Sequence, residues 1–396
     1  MTKNMTPHPI CGKIEAISSK SMAHRLMICA ALAKEPTNVI YRTTNKDMEA
    51  TKACLAAVKA GEKPLRCGES GSTLRFLLPV VAALGLNTEF YMEGRLPDRP
   101  LAPLDAQLTA HGAALCKDGR TLRVSGKLTA GDYILPGDVS SQYISGLLFA
   151  LPLLDAPSTL TVTGKVESAP YIAMTLDALK TFGIDVRIEG NVYHIPSKPY
   201  VSPGNVTVEG DWSNAAFWLC AGAISQKVTV TGLDANSLQG DKAILELLKD
   251  FGANCTEDTV SPAPLHGIEI DASAVPDLVP ILCVVAAKAE GETRIYNAAR
   301  LRLKESDRIE SVCNMLSALG ADITPTEDGM IIHGGRALTG GTVDSCNDHR
   351  IAMAAAVASA ICSGPVTVLG AEAVEKSYPH FWEDFEKLTV ARGEKP

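Results

Sequence analysis

Aromatic side chains are scarce in this chain, with eight Phe, nine Tyr and three Trp among 396 residues. A core must therefore rest on Ala, Val, Leu and Ile. Positive charge is also short. Lys plus Arg number 37 against 45 Asp plus Glu, a net charge of −8, which argues against nucleic acid or an anionic membrane as the main partner. A small anion held in a local basic cleft stays open. Paired cysteines are missing as well: the 11 are scattered, odd in number and nowhere at C-x-x-C spacing. They read as reduced, buried thiols of a cytoplasmic protein without a zinc site. Met1 to Ile10 lacks the apolar core of a secretory signal. No apolar run free of Gly, Pro and charge is long enough to span a bilayer.

What the chain does have is a repeat. Six segments are small, apolar all round and opened by Ser or Asp, which predicts buried helices. They are 21–33, 72–84, 140–154, 213–224, 277–289 and 348–361. Between them lie six amphipathic segments, 47–60, 101–110, 171–182, 241–251, 307–319 and 379–388. Four of these run into related glycine turns at Gly112, Gly183, Gly252 and Gly320, where glycine just past the last helical residue suits a left-handed cap. Short β-rich runs follow the buried segments at 160–163, 228–231, 293–296 and 366–369. A unit of two helices and several strands thus recurs six times, at a period of roughly 50 to 70 residues.

Units this small must pack together to bury their apolar faces. Three plus three gives an α/β (α+β) fold of two similar domains, residues 19–209 and residues 1–18 with 210–396. Buried helices lie inside, with sheets and amphipathic helices around them. The leftover N-terminal strand, Ile10 to Ile17, is expected to pair with the second half. Residues 391–396 read as a frayed end.

Polar clusters punctuate the starts of the buried segments. Ser18-Ser19-Lys20-Ser21 with Arg25 opens the first. It lacks the two glycines of a Walker loop, so it reads either as an anion site or as a basic helix start. Gly68-Glu69-Ser70-Gly71-Ser72-Thr73 with Arg75 allows close backbone approach to an anion, or makes a capped turn. Arg95 and Arg99 follow and suit a bidentate grip on carboxylate or phosphate. Ser140-Ser141-Gln142 offers neutral donors at the third helix. Ser168 sits in a polar loop before Pro170. Asp277 reads as a cap or as a functional acid.

The stretch 303–309, Leu-Lys-Glu-Ser-Asp-Arg-Ile, predicts a helix opening at Ser306 or Asp307, with Lys304 and Glu305 at its mouth. Read by itself it is a capped surface helix with local ion pairs. Asp348-His349-Arg350 and Lys376-Ser377-Tyr378-Pro379 complete the set. One cluster per repeat, at equivalent helix starts, predicts a shared cleft for a doubly anionic small ligand.

In this order the motifs resemble the EPSP synthase family. The resemblance rests on Ser19-Lys20-Ser21 with Arg25, Gly68 to Arg75, Arg95 with Arg99-Pro100, Ser140-Ser141-Gln142 and Gly210-Asp211. It continues through Asp277, Lys304 to Arg308, Asp348-His349-Arg350 and Lys376 to Pro379. It implies two domains of three βαβαββ units each. It also implies transfer of the enolpyruvyl group of phosphoenolpyruvate to the 5-hydroxyl of shikimate 3-phosphate, by addition and elimination, with no metal and no organic cofactor.

Carried over by motif, Lys20, Ser21, Arg25, Ser140, Ser141, Gln142, Ser168, Asp277 and Lys304 are expected to hold shikimate 3-phosphate. Lys20, Gly71, Arg99, Gln142, Arg308, Arg350 and Lys376 are expected to hold phosphoenolpyruvate. Asp277, Glu305 and Lys20 are the candidates for proton transfer. The partners expected are these small anions, with no nucleic acid and no membrane, for a cytoplasmic monomer.

Three positions depart from the pattern. Glu69 stands where Asn is usual, Ser18-Ser19 where Pro or Gly before Ser is commoner, and Arg300 near a position often held by Asn. Two alternatives are weighed beside the first reading. One is the transferase acting on UDP-N-acetylglucosamine, whose cysteine loop this chain lacks. The other is an inactive anion-binding paralogue.

Overall fold

Helix starts in this chain are set by short polar side chains that take up a free backbone N–H. In the computed structural model, which describes residues 1–389, the side chains of Ser19, Asn45, Ser70, Ser140, Asp211, Asp307 and Asp348 all cap helices in this way. The tail 391–396 lies outside the described residues. The chain divides into two compact units, residues 18–208 and residues 1–17 with 209–396.

The first unit holds α1 (Lys20–Leu32), α2 (Lys46–Ala60), α3 (Gly71–Ala83), α4 (Leu104–Ala110), α5 (Ser141–Ala150) and α6 (Ala169–Thr181). The second holds α7 (Trp212–Ile224), α8 (Ile244–Asp250), α9 (Val279–Lys288), α10 (Arg308–Ala318), α11 (His349–Ala358) and α12 (Phe381–Thr389). Odd-numbered helices are the buried set. α11 is buried at every position from His349 to Ala358, as a helix apolar all round must be. Even-numbered helices are amphipathic. Gly112, Gly183, Gly252 and Gly320, just past α4, α6, α8 and α10, have φ of 103, 78, 104 and 90°. That left-handed geometry disfavours any side chain with a Cβ.

One sheet pattern occurs four times: a parallel pair followed by an antiparallel hairpin on one side, the pair being joined through a single helix in three of the four. In the first unit Leu65–Gly68 and Thr88–Met92 are parallel, and Thr121–Gly126 and Ala113–Asp118 complete that sheet. Asp132–Pro136 and Ser158–Thr163 are parallel, with Val192–Ile195 and Arg187–Glu189 beside them. In the second unit Gly12–Glu15 pairs parallel with Val228–Thr231, then Thr259–Ser261 and Asn254–Cys255 follow. Glu269–Asp271 and Gly291–Tyr296 carry Met330–Gly334 and Asp322–Pro325. The third sheet of each unit is smaller: Asn38–Ile40 with Asn205–Thr207, and Gly341–Asp344 with Val366–Leu369. Thr2–Met5 adds antiparallel to the last of these, a strand the sequence did not announce because Thr-Lys-Asn-Met has no apolar alternation.

Each unit has its own apolar core. The aromatics divide between the two cores, but the tryptophans do not. All three tryptophans lie in the second; Trp218 stacks on Phe381 with ring centroids 5.0 Å apart, and Trp382 meets Phe381 edge-on at 5.1 Å. Seven of the 11 free cysteines are buried, but Cys116 and Cys346 are exposed. The expectation that the thiols are buried therefore fails at those two.

One predicted helix start is corrected. α9 begins at Val279, and Leu278 occupies its cap position without a side-chain bond. Asp277 is therefore not a cap, and its carboxylate is committed elsewhere.

Candidate active site

The Asp277 carboxylate gathers three cations. Arg308 Nη1 donates to its Oδ1 at 2.7 Å, Lys304 Nζ reaches the same oxygen at 3.5 Å, and Arg350 Nη2 donates to Oδ2 at 3.1 Å. Arg350 Nη1 also donates to the Asp277 carbonyl at 3.0 Å. Arg308 is the hub. Its Nη2 donates to Glu305 Oε2 at 2.8 Å and its Nε to Asp348 Oδ2 at 2.8 Å. The helix that carries it opens at Asp307, whose side chain accepts from the Glu310 N–H. Ser306 is not the cap; its hydroxyl donates to Asp348 Oδ2 at 3.1 Å. Lys376 Nζ donates to the Asn347 carbonyl at 2.7 Å, one residue before Asp348.

Burial controls the charges here. The Arg308 side chain is 1 % exposed. Burial alone would make it release its proton more readily, but Asp348, Glu305 and Asp277 outweigh that and hold its pKa above the usual guanidinium value. Asp348 shows the converse. Burial pushes its carboxyl up, yet Arg308 overcomes this and keeps it below the usual carboxylate range. Lys304 is pulled down, chiefly by burial, which the attraction of Asp277 does not cancel. A lysine so shifted gives up a proton more easily than an exposed one.

A second cationic cluster is built in residues 18–208. Lys20, the first residue of α1, pairs with Asp47 of α2 at 3.0 Å. Arg25, one turn further, is buried. Its Nε donates to Thr175 Oγ1 at 2.9 Å, Nη1 to the Ser21 carbonyl at 2.6 Å and Nη2 to the Tyr171 carbonyl at 2.8 Å. Burial lowers its pKa to about 10. Two of these bonds tie α1 to α6, and the third stays within α1. Ser168 precedes α6 with φ of 55°.

At the start of α3, Arg75 Nη1 donates to Gln142 Oε1 at 2.8 Å, and Gln142 Nε2 donates to Ser72 Oγ at 3.0 Å. A Cβ on Gly71 would lie 2.9 Å from Arg99 Nη1 and 3.0 Å from Arg75 Nη1. Two guanidiniums therefore crowd a helix N-terminus that can accept them only because residue 71 has no side chain. Ser140 caps α5 beside Ser141 and Gln142. Glu69, the acidic departure, lies against the turn at Gly94, where a Cβ would come 2.5 Å from its Oε2.

The EPSP synthase (3-phosphoshikimate 1-carboxyvinyltransferase) family model matches residues 41–385. The chain belongs to the EPSP synthase family. A 3-phosphoshikimate 1-carboxyvinyltransferase of Clostridium kluyveri is 41 % identical, over 97 % of this chain and 96 % of that protein. The EPSP synthase structure of Acinetobacter baumannii superposes with a TM-score of 0.81 at 28 % identity, covering 98 % of each chain. The enolpyruvyl transferase NikO of Streptomyces tendae shares the fold, with a TM-score of 0.75 at 18 % identity.

Within this EPSP synthase family member, Asp277, Lys304, Glu305, Arg308 and Arg350 form one continuous network, and Gly71, Arg99 and Gln142 meet around Arg75. Arg75 and Asp348 stood within sequence motifs but without a binding or proton-transfer role of their own, and Ser306 only as a cap. Arg75 stands four positions after Gly71, one helical turn away, which places the two together. The partner of Asp348 was hidden because Arg308 is 40 residues away. Among the described residues, no group of three or more His, Cys, Asp and Glu could hold a metal ion. No helix among them is long and apolar enough to cross a membrane.

Proposed function

We infer that the chain is a 3-phosphoshikimate 1-carboxyvinyltransferase. It moves the enolpyruvyl group of phosphoenolpyruvate to the 5-hydroxyl of shikimate 3-phosphate and releases phosphate. The observation that carries the reading is the Asp277 network, in which two carboxylates stand among three cations on rigid element ends. Cations hold the anions, and the carboxylates move protons.

In the first step Asp277 takes the proton of the 5-hydroxyl as its oxygen bonds to the central carbon of phosphoenolpyruvate. Glu305 delivers a proton to the methylene carbon, which becomes a methyl group. In the second step that methyl gives a proton back to Glu305 as the carbon–oxygen bond to phosphate breaks, and the departing phosphate carries off the proton that Asp277 took, which restores both carboxyl groups. Lys20 stabilises charge on the transferring group. Arg99, Arg308 and Arg350 cannot deprotonate usefully, so they act as clamps. Because Arg308 already holds Asp277 and Glu305, an anion reaching it exchanges with a carboxylate.

In the same reading, shikimate 3-phosphate is held by Lys20, Ser21, Arg25, Ser140, Ser141, Gln142, Ser168, Asp277 and Lys304. Phosphoenolpyruvate is held by Lys20, Gly71, Arg99, Gln142, Arg308, Arg350 and Lys376. The enzyme works as a cytoplasmic monomer on these small anions, and its net charge of −8 supports the absence of a nucleic-acid partner.

Phosphate release from phosphoenolpyruvate tests the reading. Release is expected with shikimate 3-phosphate and not with UDP-N-acetylglucosamine. Release with the nucleotide sugar instead would assign the other enolpyruvyl transfer. Silence with both acceptors would leave an anion-binding protein.

A further inference from the structure

The reaction scheme above makes no use of Asp241. This carboxylate is 3 % exposed, in the short turn Gly240–Ala243 ahead of α8, and its Oδ1 meets no donor. Ser213 Oγ, on the second residue of α7, accepts from Arg350 Nη2 at 2.7 Å. A hydroxyl that accepts in this way keeps its own proton to offer, and Asp241 is the carboxylate beside it, where that hydroxyl works against burial to favour the charged form. The surrounding backbone is pinned. Gln239 Nε2 donates to the Gly210 carbonyl at 2.7 Å, and Gln239 Oε1 accepts from the Trp212 N–H at 3.1 Å.

Arg350 is therefore held between two carboxylates, Asp277 directly and Asp241 through Ser213. An anion docking on Arg350 competes with Asp277 for the same Nη2 and Nη1 groups. Nη2 carries two N–H groups, so one can turn to the anion while the other keeps Ser213 Oγ. We propose that Asp241 is a positioning residue for phosphoenolpyruvate, fixing the Arg350 guanidinium through Ser213 when the substrate anion replaces the Asp277 carboxylate. The proposal rests on the reading that Arg350 holds phosphoenolpyruvate.

Burial raises the Asp241 carboxyl to about 6, with Asp277 ahead of α9 and Asp211 at the cap of α7 pushing the same way and Arg350 of α11 opposing. A buried carboxylate oxygen without a donor is costly when charged, which fits that direction. Asp241 thus changes charge near neutrality, and its hold on Ser213 changes with it.

Steady-state kinetics on the full chain test this. At about pH 7.5, Ser213→Ala is expected to raise KM for phosphoenolpyruvate about tenfold, the loss of one charge-assisted bond. kcat and KM for shikimate 3-phosphate stay within about twofold, and Ser213→Thr, which keeps the hydroxyl, restores the wild-type KM. Asp241→Asn keeps an acceptor for Ser213 without the charge. Its KM for phosphoenolpyruvate is expected to exceed wild type severalfold at about pH 7.5 and to converge with it at about pH 5.5, where Asp241 is protonated in the wild type. Equal losses in kcat and both KM values would mark a merely structural role and overturn the proposal. So would an unmoved KM for phosphoenolpyruvate, or a constant offset at both pH values. Wild-type turnover separates this from the parent reading: a silent wild type overturns both, whereas an active wild type with unmoved variants overturns only the positioning role.

Discussion

Asp277 Oδ1 lies 2.7 Å from Nη1 of Arg308, a guanidinium 1 % exposed. The pair joins the segment ahead of α9 to the first residue of α10, and Arg350 closes it from α11. A carboxylate held by three cations in this way is fixed in place and aimed, which a base requires. Asp277→Asn keeps an acceptor for Arg308 but cannot take a proton. kcat with shikimate 3-phosphate is expected to fall about 10²- to 10⁴-fold. A fall of less than about tenfold would remove Asp277 from the base role.

Glu305 carries a separate expectation. Gln at that position still accepts from Arg308 Nη2, so the network stands while the exchangeable proton is lost. Glu305→Gln should lower kcat by about 10²-fold or more with KM for shikimate 3-phosphate changed only a few-fold. Unchanged turnover would exclude Glu305 from proton transfer to the methylene carbon.

Asp348 is expected to matter for stability. Its side chain is fully buried against Arg308 Nε at 2.8 Å. Asp348→Asn leaves a buried guanidinium short of charge, at a cost of about 3–5 kcal/mol. Arg308 holds the Asp348 carboxyl below its ordinary pKa, so the folded state binds that proton less readily than the unfolded chain. The contribution is complete above the unfolded carboxylate pKa and is lost as pH falls through the lower folded value. Urea unfolding should therefore show the wild type well ahead of Asp348→Asn at neutral pH, with the gap closing in strong acid. A gap constant with pH would contradict the ion-pair account.

Gly71→Ala should separate binding from stability. The new methyl meets the far ends of Arg99 and Arg75, which can swing aside, and no backbone atom is among its nearest neighbours. The melting temperature should barely move. KM for phosphoenolpyruvate should rise on the order of tenfold to 10²-fold, because two guanidiniums are displaced by a fraction of an ångström or more. A large loss of stability with unchanged KM would reverse this assignment.

The helices were largely legible because their signals are local. Apolar residues at every position marked α7, α9 and α11, and a glycine just past the end marked α4, α6, α8 and α10. The site was legible where a motif carried it, as at Lys304 to Arg308. It was not legible where function depends on distant pairs. Asp277 by itself read as a cap or as an acid, and as a proton-transfer candidate through the family resemblance alone; its partners Arg308, Lys304 and Arg350 are brought to it only by the fold. Ser213 and Asp241 looked like ordinary helix-start residues because Arg350 lies 137 residues from Ser213. The strand Thr2–Met5 was missed because its pairing partner, not its own composition, makes it a strand.

The pairing of the first residues with the last has a consequence for how the protein is made. The unit of residues 18–208 is one continuous stretch, within which Asn38 pairs with Asn205 across 167 positions. It can be completed while the ribosome is still producing the rest. The other unit cannot. Asn4 meets Thr367 across 363 positions, so the strand Thr2–Met5 waits until Val366–Leu369 has been made. During synthesis the N-terminal segment is an unpaired edge, the kind of surface that invites wrong partners. Its Thr-Lys-Asn sequence, which hid the strand from view, is a polar one that suits a segment kept waiting in water.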